Sequence, residues 1–326
     1  MQDYTIPNTN LSVSRIAYGC AGLASWDRNA LTADDVYKAE CAIQAACDNG
    51  ITLFDHADVY AYGKAEAVFG RILKQSSGLR NKIVLQSKCG QRFPEGGGLG
   101  DPIKADLTRE HIICSVEEIL QRLATDHLDI LLLHVADALM VPEEVAAAFE
   151  QLFSSGKVRY FGVSNHHGGQ IELLKKSIRQ PIIVNQIRVG LAHPDAIADG
   201  MEFTLQLAQQ TFKNRCFAAT GSGTMDYCRL NRIQIQAYSP LRWLMDVTAN
   251  AAPEQRQTVQ LLTDLAHQKD VAPSAIALAW LLRHPAGVVP IVGSINPQRI
   301  AESCAADRVV LSRDEWYTLF AAAAKL

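Results

Sequence analysis

Four residues of this sequence have side chains that together can make a tuned general acid beside a hydrogen-bond donor: Asp55, Tyr60, Lys88 and His134. A phenol titrates near pH 10, which is too high for efficient proton exchange at neutral pH. An ammonium beside Tyr60 favours the phenolate, so Lys88 is expected to lower the pKa of Tyr60, with Asp55 holding Lys88. His134 is expected to donate a hydrogen bond to an oxygen on which negative charge develops.

Each of the four residues also has an ordinary structural interpretation. An aspartate after a strand is often a turn residue or a helix cap, and a lysine in that place is usually a surface charge. A lone histidine is commonly a polar residue with satisfied hydrogen bonds, and His56 shows how readily such candidates arise. The chemical interpretation therefore depends on whether the fold brings the four side chains together.

The elements that must position these residues are short apolar runs alternating with amphipathic segments. Continuous apolar runs of this length are typical of strands buried on both faces, as in parallel sheets. The predicted strands are 15–18, 51–54, 82–86, 128–133, 158–163, 181–185, 233–238 and 288–292. Predicted helices include 34–50, 109–125, 142–157 and, at the end of the chain, segments near 297–304 and 312–324.

Eight strands alternating with helices form either a closed barrel or a doubly wound open sheet. The strand count, and the lack of a G-x-G-x-x-G motif after the first strand, favour an α/β fold of the (β/α)8 TIM barrel type. We predict a single domain over 1–326, since no linker or change of composition marks a boundary. Long loops are predicted after strand 3 (90–107) and strand 6 (190–223), with an extra C-terminal helix.

In such a barrel the residues that directly follow the strands meet at one mouth, where the site is built. Here they are Gly19-Cys20, Asp55, Ser87-Lys88, His134, Ser164-Asn165, Gln186, Ser239 and Gly293-Ser294. Most are polar, and polar side chains are poor choices for a core unless they are paired. This convergence is the strongest argument for a site that the residues alone provide.

Composition narrows the class of protein. A net charge of −3 gives no reason to expect nucleic acid or an anionic membrane as partner. No apolar run approaches the roughly 18 residues that a membrane span needs, and the N-terminus lacks the features of a signal peptide. The eight cysteines include no C-x-x-C pair, so we expect no metal site and a reduced, cytoplasmic protein. The oligomeric state stays open.

Seven blocks, in order along the chain, resemble the aldo-keto reductase superfamily. FDHADVYAYGKAE (54–66) resembles its D-x-A-x-x-Y-G-x-x-E block, and QSKCG (86–90) resembles its lysine strand. The other blocks are LATDHLDILLLH (123–134), GKVRYFGVSN (156–165), VNQI (184–187), AYSPL (237–241) and VVPIVGSINPQRIAES (288–303). The likeness covers nearly the whole chain, and the SKCG version looks most like a bacterial subgroup of predicted oxidoreductases.

The resemblance implies an NADPH-dependent oxidoreductase that reduces a small aldehyde or ketone to an alcohol by hydride transfer. It implies Tyr60 as the proton donor, tuned by Lys88 and Asp55, and His134 as the residue that orients the carbonyl. Its implied NADP(H) contacts are Ser164, Asn165 and Gln186 at the carboxamide, Tyr238 on the nicotinamide ring, Ser239 and Leu241 at the pyrophosphate, Ser294 and Arg299 at the 2′-phosphate, and Glu302 near the adenine. Gly293 is implied as a further cofactor contact.

Two departures from the family pattern leave the identity of the substrate undetermined, and two alternative functions remain. Val135-Ala136 stands where related sequences often have Trp-Pro or Arg-Pro, and Arg242-Trp243 replaces a Gly-rich run. The alternative from another class is a cofactor-binding regulatory subunit that resembles ion-channel β subunits and has little or no turnover. A different barrel enzyme, such as an isomerase or lyase that binds phosphate, does not explain SKCG, GVSN and AYSPL together.

Overall fold

The structure is a computed structural model that describes residues 1–94, 96–98, 100–199, 223–242, 244 and 251–326. The strands in these residues form one closed barrel and two short hairpins. The strands are β1 (Asp3–Thr5), β2 (Ser12–Ser14), β3 (Ala17–Gly19), β4 (Leu53–Asp55), β5 (Val84–Cys89), β6 (Gln91–Arg92), β7 (Lys104–Ala105), β8 (Leu128–Leu133), β9 (Val158–Ser164), β10 (Ile182–Arg188), β11 (Gln234–Tyr238) and β12 (Val289–Val292).

The barrel consists of eight parallel strands in the order β3-β4-β5-β8-β9-β10-β11-β12. It closes where β12 pairs with β3, with Ile291 opposite Ala17 and Val292 opposite Tyr18. Each of the eight apolar runs predicted from the sequence overlaps one barrel strand, so the predicted TIM barrel is confirmed.

Helices surround the barrel and lie between its strands in the chain. They are α1 (Ala33–Asp48), α2 (Lys64–Gln75), α3 (Arg109–Leu123), α4 (Pro142–Ser154), α5 (Gly168–Lys175), α6 (Asp195–Ala198), α7 (Thr224–Leu230), α8 (Pro253–Lys269), α9 (Pro273–Leu282), α10 (Pro297–Cys304) and α11 (Arg313–Ala323). Several begin with side-chain caps, such as Thr32 before α1 and Ser312 before α11, which satisfy backbone N–H groups of the first turn. The extra C-terminal helix predicted near 312–324 is present as α11.

The two long loops are only partly described. The loop predicted at 90–107 contains the hairpin β6–β7, in which Gln91 lies opposite Ala105. The segment predicted at 190–223 includes α6, and its residues 200–222 lie outside the described residues, as does Trp243.

The apolar core has two parts. The larger part lies between the barrel and its helices, and the smaller part fills the barrel interior. In the smaller part, Ile6, Leu11 and Val13 of the β1–β2 region pack with strand residues such as Leu53 and Ile130. Among the described helices, none has both the length and the apolar composition that crossing a membrane requires.

Candidate active site

The ammonium of Lys88 is the centre of a buried polar cluster at the mouth of the barrel. Lys88 is fully buried on β5. Its ammonium donates to Asp55 Oδ2 at 2.7 Å, to the carbonyl oxygen of His56 at 2.8 Å and to Tyr60 Oη at 3.0 Å. An ammonium has three donors, so each has an acceptor here. The structure therefore brings Asp55, Tyr60 and Lys88 together.

Strand register and one turn produce this arrangement. Asp55 ends β4 and lies opposite Gln86 of β5, two residues before Lys88. The side chains of Asp55 and Lys88 therefore lie close together at the carboxyl ends of two neighbouring strands. The chain then turns inside the mouth, where Asp58 N donates to Lys88 O at 3.0 Å and Tyr60 N donates to Ala57 O at 3.1 Å. These backbone bonds carry Tyr60 back over the lysine.

The residues after Tyr60 adopt an unusual left-handed backbone. The φ angles of Ala61, Tyr62 and Gly63 are 47°, 59° and 84°. A left-handed conformation costs a residue with a Cβ about 1–2 kcal/mol, and Ala61 stands at the glycine of the D-x-A-x-x-Y-G pattern. A Cβ on Gly63 would lie 2.9 Å from Cδ of Arg122, so this position has no room for a side chain. Strain of this kind is typical of functional sites that their surroundings hold in place.

Burial dominates the proton affinity of Tyr60. It raises the pKa of this phenol above its ordinary value of 10.0, and the opposing effect of the Lys88 ammonium is smaller. Lys88 lowers the pKa of Tyr60, as predicted, but desolvation of the phenolate outweighs this attraction to the ammonium, so the net shift is upward. Burial also disfavours the charge on Lys88, but the Asp55 and Tyr60 oxygens outweigh it and raise the pKa of Lys88. Tyr60 is thus a neutral phenol beside an ammonium.

His134 lies at the end of β8 and faces Tyr60. The two rings are 6.0 Å apart and nearly perpendicular, at 83°. Burial, together with the charge of Lys88, lowers the pKa of His134 well below 6.5, so the imidazole is neutral at physiological pH. Its Nδ1 is buried and has no hydrogen-bond partner among the described residues. A neutral imidazole can still donate one hydrogen bond, which suits an oxygen placed between it and Tyr60.

A cavity of about 630 Å³ runs from this cluster to the outer helices. Asp55 and Tyr60 line it, together with the start of α9 and one side of α10. It collects seven of the predicted cofactor residues, which are Tyr238, Ser239, Leu241, Gly293, Ser294, Arg299 and Glu302. This volume is within the usual range of small-molecule and cofactor sites, about 300–1,000 Å³.

The outer end of the cavity is suited to a phosphate group. Asn296 caps α10 by accepting from the backbone of Gln298 and Arg299, at 2.9 and 3.2 Å. Ser294 Oγ accepts from Asn296 N at 3.1 Å, so it is placed beside this helix start. The exposed Arg299 guanidinium has neither a hydrogen bond nor an ion pair with other described residues. Asn296 already takes the backbone N–H groups of this helix start, so the attraction for an anion comes from the planar guanidinium of Arg299.

The other predicted cofactor residues lie beside the polar cluster. Asn165 Nδ2 donates to the carbonyl oxygen of His134 and to Ser164 Oγ, both at 3.1 Å, and Asn165 Oδ1 accepts from Tyr238 Oη at 3.0 Å. Ser164 Oγ donates to the carbonyl oxygen of Gln186 at 2.8 Å. Together with His134, the four predicted cofactor residues Ser164, Asn165, Gln186 and Tyr238 thus form one hydrogen-bonded group between the cavity and β10, in which Gln186 is buried.

The sequence did not reveal a set of buried glutamines under the cluster. Gln86 and Gln186 donate to Asp55 Oδ1 at 2.5 and 3.0 Å, and both also contact Gln236. The only signal in the sequence is alternation, since Gln86 stands two residues before Lys88, and Gln234 and Gln236 alternate within β11. Inward-facing positions of a strand have this period of two.

The sequence also did not predict an aromatic wall at the site, which we define as Trp26, Tyr62 and Phe93. The ring of Trp26 lies 6.3 Å from that of Tyr60 and 6.1 Å from that of Tyr62. Phe93 lies 5.5 Å from Tyr62, and Arg28 stacks over Tyr62 at 4.7 Å. The wall therefore stands beside the phenol and contacts the loop after β5.

Comparisons with known proteins agree with this geometry. The sequence pattern of the Aldo/keto reductase family matches residues 15–323. The uncharacterized oxidoreductase YcsN of Bacillus subtilis is 34% identical over 315 residues, covering 96% of this chain and 95% of that protein. A 6-dehydroglucose reductase of Agrobacterium fabrum is 34% identical over 311 residues, covering 95% and 94%. The glycerol dehydrogenase AKR11B4 of Gluconobacter oxydans has the same fold, with a TM-score of 0.77 at 22% identity over 97% of this chain and 93% of that one.

An eight-stranded parallel barrel with a Lys–Asp–Tyr cluster at its mouth, and a family pattern that spans nearly the whole chain, define the class of protein. The chain belongs to the aldo/keto reductase family and is an oxidoreductase of that family. Members of the family generally use nicotinamide cofactors.

Proposed function

We propose that this protein is an NADP(H)-dependent reductase that converts a small aldehyde or ketone to an alcohol. The observation that carries the proposal is the hydrogen bond from the Lys88 ammonium to Tyr60 Oη, with Asp55 on the same ammonium. This phenol lines a cavity that extends to the unpaired guanidinium of Arg299. A proton donor at one end and a phosphate site at the other suit an extended dinucleotide with its reactive ring at Tyr60.

The residues present fit the cofactor along the whole cavity. Arg299 and Ser294, beside Gly293, would hold the adenosine 2′-phosphate, with Glu302 near the adenine, and Ser239 and Leu241 would lie along the pyrophosphate. Ser164, Asn165 and Gln186 would hold the carboxamide, with Tyr238 against the ring. NADPH when bound supplies the hydride that reduces the carbonyl carbon.

The protein's own residues handle the carbonyl oxygen. His134 would donate a hydrogen bond to it and so stabilise the negative charge that develops there. Tyr60, a neutral phenol because burial raises its pKa, would give its proton to the same oxygen, which completes the alcohol. Lys88 would stabilise the phenolate that remains, and Asp55 would balance the charge of Lys88. The substrate would contact the aromatic wall, which excludes water from this side of the site.

The experiment follows NADPH absorbance with aromatic aldehydes, aliphatic aldehydes, ketones, quinones and a hexose oxidised to the aldehyde at C6. The last is included because one relative is a 6-dehydroglucose reductase. Tyr60→Phe should lower kcat by about 100-fold or more, the range for a lost general acid, with little change in NADPH affinity. Tyr37→Phe, an exposed tyrosine on α1, is the matched control and should behave as wild type.

Three outcomes would count against the proposal. A protein that does not bind NADPH lacks the proposed cofactor site altogether. A protein that binds NADPH but turns over no carbonyl in the panel would favour the regulatory-subunit alternative. Equal losses of turnover and NADPH affinity in Tyr60→Phe would contradict the role of Tyr60 as a proton donor.

A further inference from the structure

Three glutamine side chains and one carboxylate form a closed hydrogen-bonded group in the barrel interior, below the lysine. Gln86, Gln186 and Gln236 come from β5, β10 and β11, and at most 2% of each is exposed. Gln86 Nε2 and Gln186 Nε2 both donate to Asp55 Oδ1, at 2.5 and 3.0 Å. The other carboxylate oxygen of Asp55 accepts from Lys88 at 2.7 Å. The two oxygens of Asp55 therefore have different partners.

Gln236 joins the two donors without touching Asp55. Its Oε1 accepts from Gln86 Nε2 at 2.8 Å and from Gln186 Nε2 at 3.0 Å. Its Nε2 donates to Gln86 Oε1 at 3.0 Å and to Gln234 Oε1 at 3.2 Å. An amide offers two acceptor sites and two donors, so every hydrogen-bonding position of Gln236 is used. It is the hub of this group.

The acceptor of Gln236 determines which way the neighbouring amides point. A carboxylate only accepts hydrogen bonds, so the nitrogen atoms of Gln86 and Gln186 must face Asp55. Each amide nitrogen has two protons, and Gln236 Oε1 takes the second proton of both. Without Gln236 that proton would be buried and unpaired, and each amide would lose the contact that fixes its orientation on Asp55.

We propose that Gln236 is a positioning residue for carbonyl reduction. By accepting from Gln86 and Gln186 it keeps both amides on Asp55 Oδ1, so that Oδ2 stays on Lys88 and Lys88 stays on Tyr60. The proposal rests on the proposed function, because it acts through Tyr60 as the proton donor. It also links the two parts of the site, since Gln186 is one of the residues proposed for the nicotinamide carboxamide.

Gln236→Met tests the proposal, because methionine has nearly the volume of glutamine and lacks its amide. We expect kcat to fall about tenfold or more, while the Kd of NADPH changes much less, since a small misplacement of a reacting group can cost this much. Gln180→Met is the matched control, since Gln180 is also a buried glutamine but its amide donates to Glu150, outside the group around Asp55. It should keep kcat within about twofold of wild type, and thermal unfolding verifies that both variants are folded.

A double-mutant cycle shows whether Gln236 acts through the aspartate. In an Asp55→Asn background Gln236→Met should have almost no further effect on kcat, because the positioned carboxylate is already gone. Additive losses, or equal losses in Gln236→Met and Gln180→Met, would overturn the positioning role while wild-type turnover leaves the proposed function intact. A wild-type protein that reduces no carbonyl would overturn both.

Discussion

The hydrogen bonds of Lys88 explain how three ionisable groups coexist in a buried site. Its charge is balanced by Asp55 at 2.7 Å, and its remaining protons bind Tyr60 and a backbone carbonyl. A buried charge is tolerated when it is paired and fully hydrogen-bonded. Burial therefore disfavours the ionised form of Tyr60, the phenolate, and Tyr60 keeps its proton.

The raised pKa of Tyr60 predicts how the two directions of the reaction depend on pH. Reduction needs the phenol, so its kcat should stay nearly constant from about pH 6 to about pH 9, whereas alcohol oxidation needs the phenolate and should accelerate over that range. His134, whose pKa is lowered by burial, is neutral throughout this range and adds no change. Steady-state rates in both directions test this. A reduction rate that falls to half its value before the pH has risen to about 8 would contradict it.

We predict that Arg299 determines the preference for NADPH over NADH. Arg299→Gln should weaken NADPH binding by about 10- to 100-fold, the cost of losing charge-assisted hydrogen bonds to a phosphate, and leave NADH binding nearly unchanged. Fluorescence titration with both cofactors measures this. Arg71→Gln on the exposed face of α2 serves as the control. Equal weakening of NADPH and NADH binding would show that Arg299 does not bind the 2′-phosphate.

Residue types at strand ends made part of the site predictable. Asp55, Lys88 and His134 are polar residues that end apolar runs, and such positions meet at the mouth of a barrel. Gln236 was hidden because it lies inside a run that otherwise predicts a buried strand. The net direction of the pKa shift of Tyr60 was also beyond the sequence, because the degree of burial depends on the folded environment.

At the scale of elements, the turn after β4 and the helices α2 and α3 depend on each other. Arg122 of α3 donates through Nε to Glu66 of α2 at 2.7 Å, and Glu66 also accepts from Ser87 beside the lysine. A Cβ on Gly70 would lie 2.1 Å from the carbonyl oxygen of Arg122, so the two helices touch at this glycine. Their close packing holds the strained turn that carries Tyr60.

The end of α3 offers a stability prediction. Ala124 caps this helix in the left-handed conformation, with φ 52° and ψ 44°, where glycine has no steric penalty. Ala124→Gly should therefore raise the free energy of unfolding by about 0.5–1 kcal/mol after the larger entropy of the unfolded glycine is subtracted. Urea denaturation measures the change.

The control for that prediction is Ala67→Gly, which places glycine inside α2 and should instead destabilise the protein by about 1 kcal/mol. A loss of stability in both variants would mean that the left-handed backbone at Ala124 carries no strain.

The barrel strands were more predictable from the sequence than the short hairpins. All eight barrel strands follow from apolar runs, because strands buried on both faces leave a continuous signal in the sequence. The hairpin β6–β7 was not predicted, since strands of two residues have no measurable periodicity. The β1–β2 hairpin was missed because its strands, at three residues each, are also too short to show a period, although Ile6 and Val13 pack in the barrel interior.

At the scale of the whole molecule, one carboxyl group links stability to pH. Asp58, at the turn behind Tyr60, has an oxygen without a partner among the described residues. Burial, with a smaller contribution from Glu66, raises its pKa from 3.8 to about 8, against the opposing effects of Arg122 and Ser115. The folded protein thus keeps a proton that the unfolded chain releases, and stability should fall as pH rises from about 4 to about 8.

Asp58→Asn should remove this dependence, because the amide is neutral at every pH. The variant should gain stability over wild type progressively above about pH 4, by about 1.4 kcal/mol for each pH unit, which reaches roughly 5 kcal/mol near pH 8. Denaturation midpoints across this range measure the difference. Asp264→Asn, an exposed position on α8, is the control. A constant difference between Asp58→Asn and wild type at all pH values would refute the assignment.

The most direct test of the central claim follows hydride itself. NADPH carrying two deuterium atoms at nicotinamide C4 is incubated with the protein and an aldehyde from the panel, and the alcohol is examined by mass spectrometry. The proposed chemistry predicts one deuterium on the carbinol carbon for each cofactor oxidised. Oxidation of the cofactor without a labelled alcohol, or binding of NADPH with no alcohol formed from any carbonyl, would contradict it.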